Sequence, residues 1–337
     1  MRRPYTFALS AVIIAMAAAV ALAGTGKVAE VGTLFRIGTG GTGGTYYPVG
    51  RMLARMLMAR PDGQDCGASC GASGLVAVAQ ISNGSVSNVE SIRKGELEAG
   101  LAQSDVVQWA YSGTGTFAGR KPNRTLRAVA NLYPETMHLV VLKGSGIRTV
   151  RDLRGKHVSL DEPGSGTLID ARLVLAAYGL KEKWLKAEYI KPSLSVAKME
   201  QGKLDAFFFV GGYPVRSIAK LAQRRAIAII PIVGAPARAL LARNQFFFKD
   251  SIPAGTYHGV GRVQTVSVGA QLVVSAMLSD ALAYRLTRTL WDRKTLKALR
   301  VSIVKGSQIK PKRALAGLSI PLHPGAVRYY REKGLLE

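Results

Sequence analysis

Three glycines in the N-terminal part of the chain stand at the spacing of a dinucleotide-binding turn. Gly38, Gly40 and Gly43 satisfy G-x-G-x-x-G within residues 35–48, FRIGTGGTGGTYYP. A strand-like run at residues 34–37 precedes the turn, and an apolar stripe of helical spacing follows it. Backbone N–H groups at such a turn, together with the dipole of the next helix, bind anions. The stretch therefore predicts an anion site, for a nicotinamide or flavin or for a smaller anion.

A dinucleotide-dependent enzyme is the remote alternative, because the acidic residue that would bind the ribose is missing. Asp62 has the right offset but follows a helical pattern, and the next strand-like run, residues 74–80, ends without an acid. Ser165 lies in GSGT rather than G-x-S-x-G, and the four histidines show no i, i+4 pair, so neither nucleophilic catalysis nor a metal site is indicated. The adjacent acids Asp161 and Glu162 point apart, and we interpret them as solvated or as bracing a loop. We expect a protein that is not an enzyme and carries no cofactor.

Three other polar turns also follow strand-like runs, and one of them is a second glycine-containing turn before a helix. Residues 164–167, GSGT, lead into a helical pattern that Gly179 ends. Residues 102–105, AQSD, and 211–214, GGYP, also follow strand-like runs, and Ser104-Asp105 is predicted to cap the helix after it. In parallel α/β sheets, ligands bind outside the carboxyl ends of the strands. The turns together predict a cleft that holds a small anion mainly by backbone and hydroxyl groups.

The order of elements is typical of an α/β protein. Short apolar runs alternate with amphipathic helical patterns, and 337 residues are enough for two lobes with separate cores. Residues 126–132 and 137–142 are predicted as two strands separated by Tyr133-Pro134, where we expect the chain to cross between lobes. A last long helix is predicted to begin at Ser279-Asp280.

The N-terminus has the pattern of a secretory signal. Two arginines precede an uncharged run at residues 8–23, which ends in the A-x-A site ALA. We predict a signal peptide at residues 1–23, cleaved near Ala23, and a periplasmic mature protein; an uncleaved anchor is the alternative. In an oxidising compartment Cys66 and Cys70 form either a local disulfide or two free thiols.

The net charge of +25, from 46 basic and 21 acidic residues, favours an anionic partner. The basic residues are spread along the chain without an aromatic-interleaved motif, so we expect no nucleic-acid partner. The anionic partners still to be considered are a small carboxylate and an acidic surface of a membrane or permease. Four basic residues of the last long helix would orient the protein on such a surface: Arg285, Arg288, Arg293 and Lys297.

Five segments, in order, resemble the solute receptors of tripartite ATP-independent periplasmic (TRAP) transporters, specifically the TRAP-associated extracytoplasmic immunogenic (TAXI) class. They are GTGGTGGTYYPVG, NGSVSNVESIRKGELEAGLAQSDV, DLRGKHVSLDEPGSGTL, GKLDAFFFVGGYP and HPGAVRYYREKG. The resemblance implies a two-lobed periplasmic binding protein fold of type II-like architecture, with two α/β lobes joined by crossing strands around a central cleft. Lobe I is expected at residues 31–133 plus 262–337, and lobe II at residues 134–261. Residues 66–80 look longer and more glycine-rich than the class pattern.

The resemblance also implies a function. Receptors of this class bind glutamate, glutamine, 2-oxoglutarate and similar carboxylates, close on them and deliver them to a TRAP-type membrane permease. We therefore expect a monomer whose partners are a small anionic metabolite and that permease; an exported binding protein that serves a signalling or sensor partner is the alternative. The motifs imply these ligand-binding residues: Thr42, Gly43, Thr45, Tyr46, Ser85, Asn88, Gln103, Asp105, Ser165, Gly166, Thr167 and Gly212.

A binding arrangement follows from these turns. We expect a carboxylate to bind the amides of residues 165–167. The first glycine turn and Gln103 then contact the other end of the ligand from the opposite lobe.

Overall fold

The computed structural model of the protein describes residues 33–58, 75–302 and 304–337. The predicted signal peptide and the cysteine pair Cys66 and Cys70 lie outside the described residues. Within these ranges, no helix combines the length and apolar character needed to cross a bilayer.

Ten strands and ten α-helices occur in the described residues. The strands are β1 (Thr33–Gly38), β2 (Leu75–Gln80), β3 (Ala99–Gln103), β4 (Leu126–Leu142), β5 (His157–Ser159), β6 (Lys186–Glu188), β7 (Ala206–Gly211), β8 (Ile227–Ile229), β9 (Phe248–Ile252) and β10 (Val263–Ser275). The helices are α1 (Tyr46–Met58), α2 (Ser85–Arg93), α3 (Ser104–Ser112), α4 (Gly166–Ala177), α5 (Pro192–Glu200), α6 (Arg216–Arg224), α7 (Gly234–Arg243), α8 (Asp280–Trp291), α9 (Arg293–Ser302) and α10 (Pro324–Glu332).

The strands form a continuous sheet in the order β2-β1-β3-β10-β4-β7-β5-β6, with β8 paired to β4 and β9 to β10. Strand β1 runs parallel to β2 and β3, and β5 runs parallel to β6 and β7. The long strands β4 and β10 lie antiparallel at the centre. They connect the two parallel parts of the sheet.

Buried apolar residues form separate cores on the two sides of the β4–β10 pair. Val129 of β4 and Leu272 of β10 pack in a core with α1 and α8, and we call this side the first lobe. Leu139 and Val268, further along the same two strands, pack in a core with α4 and α7, which belongs to the second lobe. The mixed α/β, two-lobed fold expected from the sequence is confirmed. The residue limits expected for the lobes stay a prediction.

The prediction of two strands separated by Tyr133-Pro134 is wrong, because β4 is one continuous strand. Pro134 pairs with Gly269 of β10, and pairing with β7 begins only at Thr136. The proline ring therefore removes no hydrogen bond from the β4–β7 ladder, and the strand continues through it.

The prediction of one last long helix is also wrong. Asp292 has an extended backbone (ψ 144°) and separates α8 from α9. Its Oδ1 accepts the amide of Lys294 at 2.8 Å, as an N-cap side chain does. Arg285 and Arg288 thus lie on one helix, and Arg293 and Lys297 on the next.

His138 is a fully buried titratable side chain on β4, within the second lobe. Its Nδ1 lies 2.8 Å from the carbonyl oxygen of Thr136, and its Nε2 lies 2.9 Å from the Tyr257 hydroxyl. Burial lowers the pKa of His138 to about 4, against hydrogen bonds that act to raise it. The native protein therefore holds this imidazole neutral where an exposed histidine is charged.

We expect acid to destabilise the wild type more than a His138→Gln variant. Below pH 6.5 the unfolded chain binds a proton that buried His138 cannot bind, so stability falls as the pH drops from 6.5 towards 4, by up to about 3 kcal/mol. Urea unfolding of both proteins at pH 7.5 and pH 4.5 measures the difference and cancels the contributions of the carboxyl groups. Equal losses of stability in the two proteins would show that His138 is not the group responsible.

Candidate functional site

A cavity of about 220 Å³ lies between the lobes, at the carboxyl ends of β1, β3, β5 and β7. Nine of the twelve residues predicted for the ligand site line it: Thr42, Gly43, Thr45, Tyr46, Ser85, Gln103, Ser165, Gly166 and Thr167. Asn88, Asp105 and Gly212 are not among the residues that line it.

Three helices begin at the cavity. Tyr46, Ser85 and Gly166 are the first residues of α1, α2 and α4, and all three line the wall. The first amides of a helix have no intrahelical acceptor, and the helix dipole places partial positive charge there. The two lobes thus direct positive potential into one small space from different directions.

The GSGT turn contributes two amides rather than three. The Ser165 side chain caps α4 by accepting the amide of Leu168 at 3.1 Å, and the Ser165 amide itself donates to the Glu162 carbonyl at 3.1 Å. The Thr167 hydroxyl accepts the amide of Val210 at 3.1 Å. An anion in the cavity therefore has the amides of Gly166 and Thr167 as its donors on α4, and the expected role of the Ser165 amide is not met.

The first glycine turn closes on itself and then contacts the second lobe. The Gly44 amide donates to the Gly41 carbonyl at 3.0 Å, and Thr42 is exposed at the rim. The Thr45 hydroxyl accepts the amide of Gly212 at 3.3 Å. Gly212 therefore connects the lobes beside the cavity instead of lining it.

The lobes are in direct contact around the cavity. The Ser87 amide donates to the Gly164 carbonyl at 3.0 Å, and the Asn83 side chain donates to the Pro163 carbonyl at 3.0 Å. A Cβ added at Gly166 would lie 1.6 Å from Oε1 of Gln103 on the other lobe. The structure is that of a closed cleft.

Glu135 is a wall residue that the sequence analysis missed. It lies on β4, is 2% exposed, and accepts a hydrogen bond of 2.5 Å from the Tyr46 hydroxyl. Burial raises the pKa of Glu135 to about 8, against the Tyr46 hydrogen bond, which lowers it. Its carboxyl group can therefore accept a cation or, when protonated, donate a hydrogen bond to an anion.

The interpretation of Asp161 as solvated is wrong. Asp161 is 5% exposed, lines the cavity, and has φ +74°, a backbone conformation that few non-glycine residues adopt. Its Oδ1 accepts the Glu162 amide at 2.8 Å, so it does brace the loop, and burial raises its pKa to about 7. Glu162 is half-buried at the wall, 3.9 Å from the exposed ammonium group of Lys191.

Asp105 is buried away from the cavity. Helix α3 begins at Ser104, and Gln103 occupies its N-cap position without a side-chain cap, so Ser104-Asp105 does not cap the helix as predicted. The Asp105 carboxyl instead contacts that of Asp170 on α4 of the second lobe, and Gln103 donates to Asp170 at 3.1 Å.

Asn88 has a structural role. Its side-chain nitrogen donates to the carbonyl oxygens of Thr39 and Leu101, each at 2.7 Å, and its oxygen accepts from Ser82. The residue is fully buried. It connects the ends of β1 and β3, and all of its hydrogen-bonding groups contact the protein.

The sequence contains a signal for Glu135 and Asp170, the two buried acids that the sequence analysis did not assign to the site. Glu135 interrupts an apolar strand, NLYPETMHLVV, and Asp170 interrupts an apolar helix, GTLIDARLVLAA. Acidic residues are rarely buried unless they have partners, so an isolated acid in such a run marks a polar site at an interface.

A model of the NMT1-like family matches residues 37–334. The chain belongs to this family. Solved structures with a similar fold include a protein of Bordetella bronchiseptica RB50, with 15% identity and a TM-score of 0.51, covering 90% of this chain and 89% of that one. Another is the binding protein component of an ABC phosphonate transporter from Pseudomonas aeruginosa, with 10% identity and a TM-score of 0.50, covering 80% and 78%. This NMT1-like chain therefore shares its two-lobed fold with that binding protein component.

We expect Asn88→Ala to lower the free energy of unfolding by about 3 kcal/mol, because it removes three buried hydrogen bonds of the side-chain amide. Urea unfolding measures the loss. The matched control is Asn244→Ala, which removes one hydrogen bond to the Leu240 carbonyl at a half-buried position and should cost less than about 1 kcal/mol. Equal stability of the two variants would contradict the structural role of Asn88.

Proposed function

We propose that this NMT1-like protein is an extracytoplasmic solute-binding protein that captures a small organic anion between its lobes and delivers it to a membrane permease. The observation that carries the proposal is the cavity into which α1, α2 and α4 direct their N-termini, enclosed by hydrogen bonds between the lobes. Such a site binds an anion and releases it unchanged when the lobes separate. The proposal assigns no chemical step to the protein.

The size of the cavity supports a small metabolite. Pockets for drug-sized ligands typically measure about 300–1,000 Å³, and this one has about 220 Å³. Two or three charge-assisted hydrogen bonds, each worth about 1.5–3 kcal/mol, give a micromolar dissociation constant, which corresponds to about 8 kcal/mol. A dinucleotide is far larger than this space.

The charges on the wall favour a ligand that carries an amine as well as a carboxylate. Glu135, Asp161 and Glu162 provide carboxyl groups, and Lys191 is the basic residue among the described residues of the wall. A dicarboxylate without an amine would require these acids to be protonated, whereas an ammonium group pairs with them in their ionised form. We therefore propose glutamate or a related amino acid, with one carboxylate on the amides of α4 and the ammonium group at Glu135 or Asp161.

We assign the permease to the TRAP type and the protein to the periplasm. The five ordered motifs that resemble TAXI receptors support the first assignment, and the fold shared with the phosphonate-transporter component is compatible with the second. A receptor for a sensor partner is the second candidate. The test is to add the protein to membrane vesicles that contain only the permease and to measure uptake of the solute. A TRAP receptor would stimulate this uptake, and a sensor-linked protein would not.

We expect the wild type to bind L-glutamate at least tenfold more tightly than 2-oxoglutarate, and Glu135→Gln to reduce that preference. Glutamine at position 135 can still accept the Tyr46 hydrogen bond but has no carboxylate for an ammonium group. A thermal-shift screen of amino acids, keto acids, sulfonates and phosphonates, followed by calorimetry, measures both affinities.

The control for this experiment is Glu90→Gln, a surface acid paired with Arg93, which should keep the wild-type preference. A preference that survives Glu135→Gln would exclude Glu135 as the group that recognises the amine. Tighter binding of a sulfonate or phosphonate than of any amino acid would contradict the proposed ligand class.

We expect Gly166→Ala to weaken glutamate binding at least tenfold while the fold persists. The added Cβ would meet Gln103 across the cleft and obstruct closure, whereas alanine at this helical position is otherwise acceptable. Gly261→Ala adds the same group where no atom lies within 4 Å and should bind as the wild type does. Calorimetry with a thermal melt of each variant checks this. Wild-type affinity in Gly166→Ala would show that the site is not enclosed as in this structure.

A further inference from the structure

Two carboxyl groups meet across the interface between the lobes, outside the ligand cavity. Asp105 belongs to α3 of the first lobe and Asp170 to α4 of the second, and both are 0% exposed. Their carboxyl groups lie next to each other, and each acts on the ionisation of the other. Two acids of the same charge thus take part in the contact that closes the cleft.

The contact lacks a donor unless a proton is present. Within the described residues, neither oxygen of Asp105 and not Oδ1 of Asp170 has a hydrogen-bond donor of acceptable geometry. Oδ2 of Asp170 accepts from the Gln103 side chain at 3.1 Å. Ionised carboxylates only accept hydrogen bonds, so a direct bond between the two requires that one of them be protonated.

The surrounding elements reinforce this requirement. Strand β3 contributes the neutral Gln103, and β4 contributes Glu135, which disfavours a negative charge on the pair whenever it is itself ionised. Glu135 is in turn hydrogen-bonded by Tyr46 of α1 and lies near the buried hydroxyl of Tyr133. Burial, together with the interaction between the two carboxyl groups, raises the pKa of the Asp105–Asp170 pair above the usual range of an aspartate.

Separation of the lobes would move the two carboxyl groups apart, so that neither would need to hold a proton. Each acid would then lie apart from the other and meet water, where an aspartate titrates near pH 3.9. We propose that Asp105 and Asp170 form a proton-binding site that closure creates. The protein therefore binds about one proton for each solute molecule that it captures. The inference rests on the proposed function, because it takes closure to accompany capture of the solute.

The direction of the effect follows from linkage. The closed state holds one proton more than the open state at any pH between about 4 and the pKa of the closed pair. Binding therefore tightens as the pH falls through this range, by up to about tenfold for each pH unit. The solute is held more firmly in an acidic medium and released more readily in a neutral one.

Calorimetry with L-glutamate at pH 6.0, in buffers of different ionisation enthalpy, counts the protons taken up on binding. We expect the wild type to take up about one proton more than Asp105→Asn or Asp170→Asn. In either variant the asparagine amide donates to the remaining carboxylate, so closure persists without the proton. Glu96→Gln changes an exposed acid of the first lobe and should keep the wild-type count. Equal counts in the wild type and both variants would overturn the proposal.

A second measurement does not depend on glutamate as the ligand. Small-angle X-ray scattering without solute at pH 5.0 and pH 8.0 should show a more compact wild type at the lower pH and no such change in Asp105→Asn. An equal radius of gyration of the wild type at both values, or the same change in the variant, would overturn the proton site. Failure of glutamate to bind, together with the expected scattering, would overturn only the proposed ligand.

Discussion

The closed cleft holds several carboxyl groups away from water, and each needs a donor, a cation or a proton. Glu135 accepts the Tyr46 hydroxyl, Asp161 accepts a backbone amide, and Asp105 and Asp170 contact each other. The N-termini of α1, α2 and α4 add positive potential at the same place. Carboxyl groups and helix N-termini at one place are the basis for proposing a ligand with charges of both signs. The buried carboxyl groups are also the reason to expect that the stability of the closed state depends on pH.

The sheet that carries these groups is continuous across both lobes. Strands β4 and β10 pass through both lobes side by side, with Pro134 opposite Gly269 where the cores separate. Glu135 follows that proline directly, so a wall residue of the cavity belongs to the connection between the lobes. The turns at residues 39–45 and 161–167 approach the cavity from either side. The cavity is therefore lined by groups from both lobes.

Much of the cavity wall could be predicted from the chain, because polar turns that follow strands and precede helices depend on neighbouring residues. Asn88 was misassigned, since its amide contacts the ends of β1 and β3 rather than the cavity. Of the two interpretations of Asp161, bracing the loop holds and solvation does not, because its left-handed backbone and burial come from the packed loop. The break at Asp292 divides the predicted last long helix into α8 and α9.

By itself the sequence determined the alternating elements and the glycine-rich turns that precede helices, because each arises from residues close together along the chain. The tertiary structure decided which turns meet and which acids lose water. Tyr46 and Glu135 are 89 positions apart, and Gln103 and Asp170 are 67 apart. The ionisation of a carboxyl group depends on what surrounds it in space, and no local pattern records that environment.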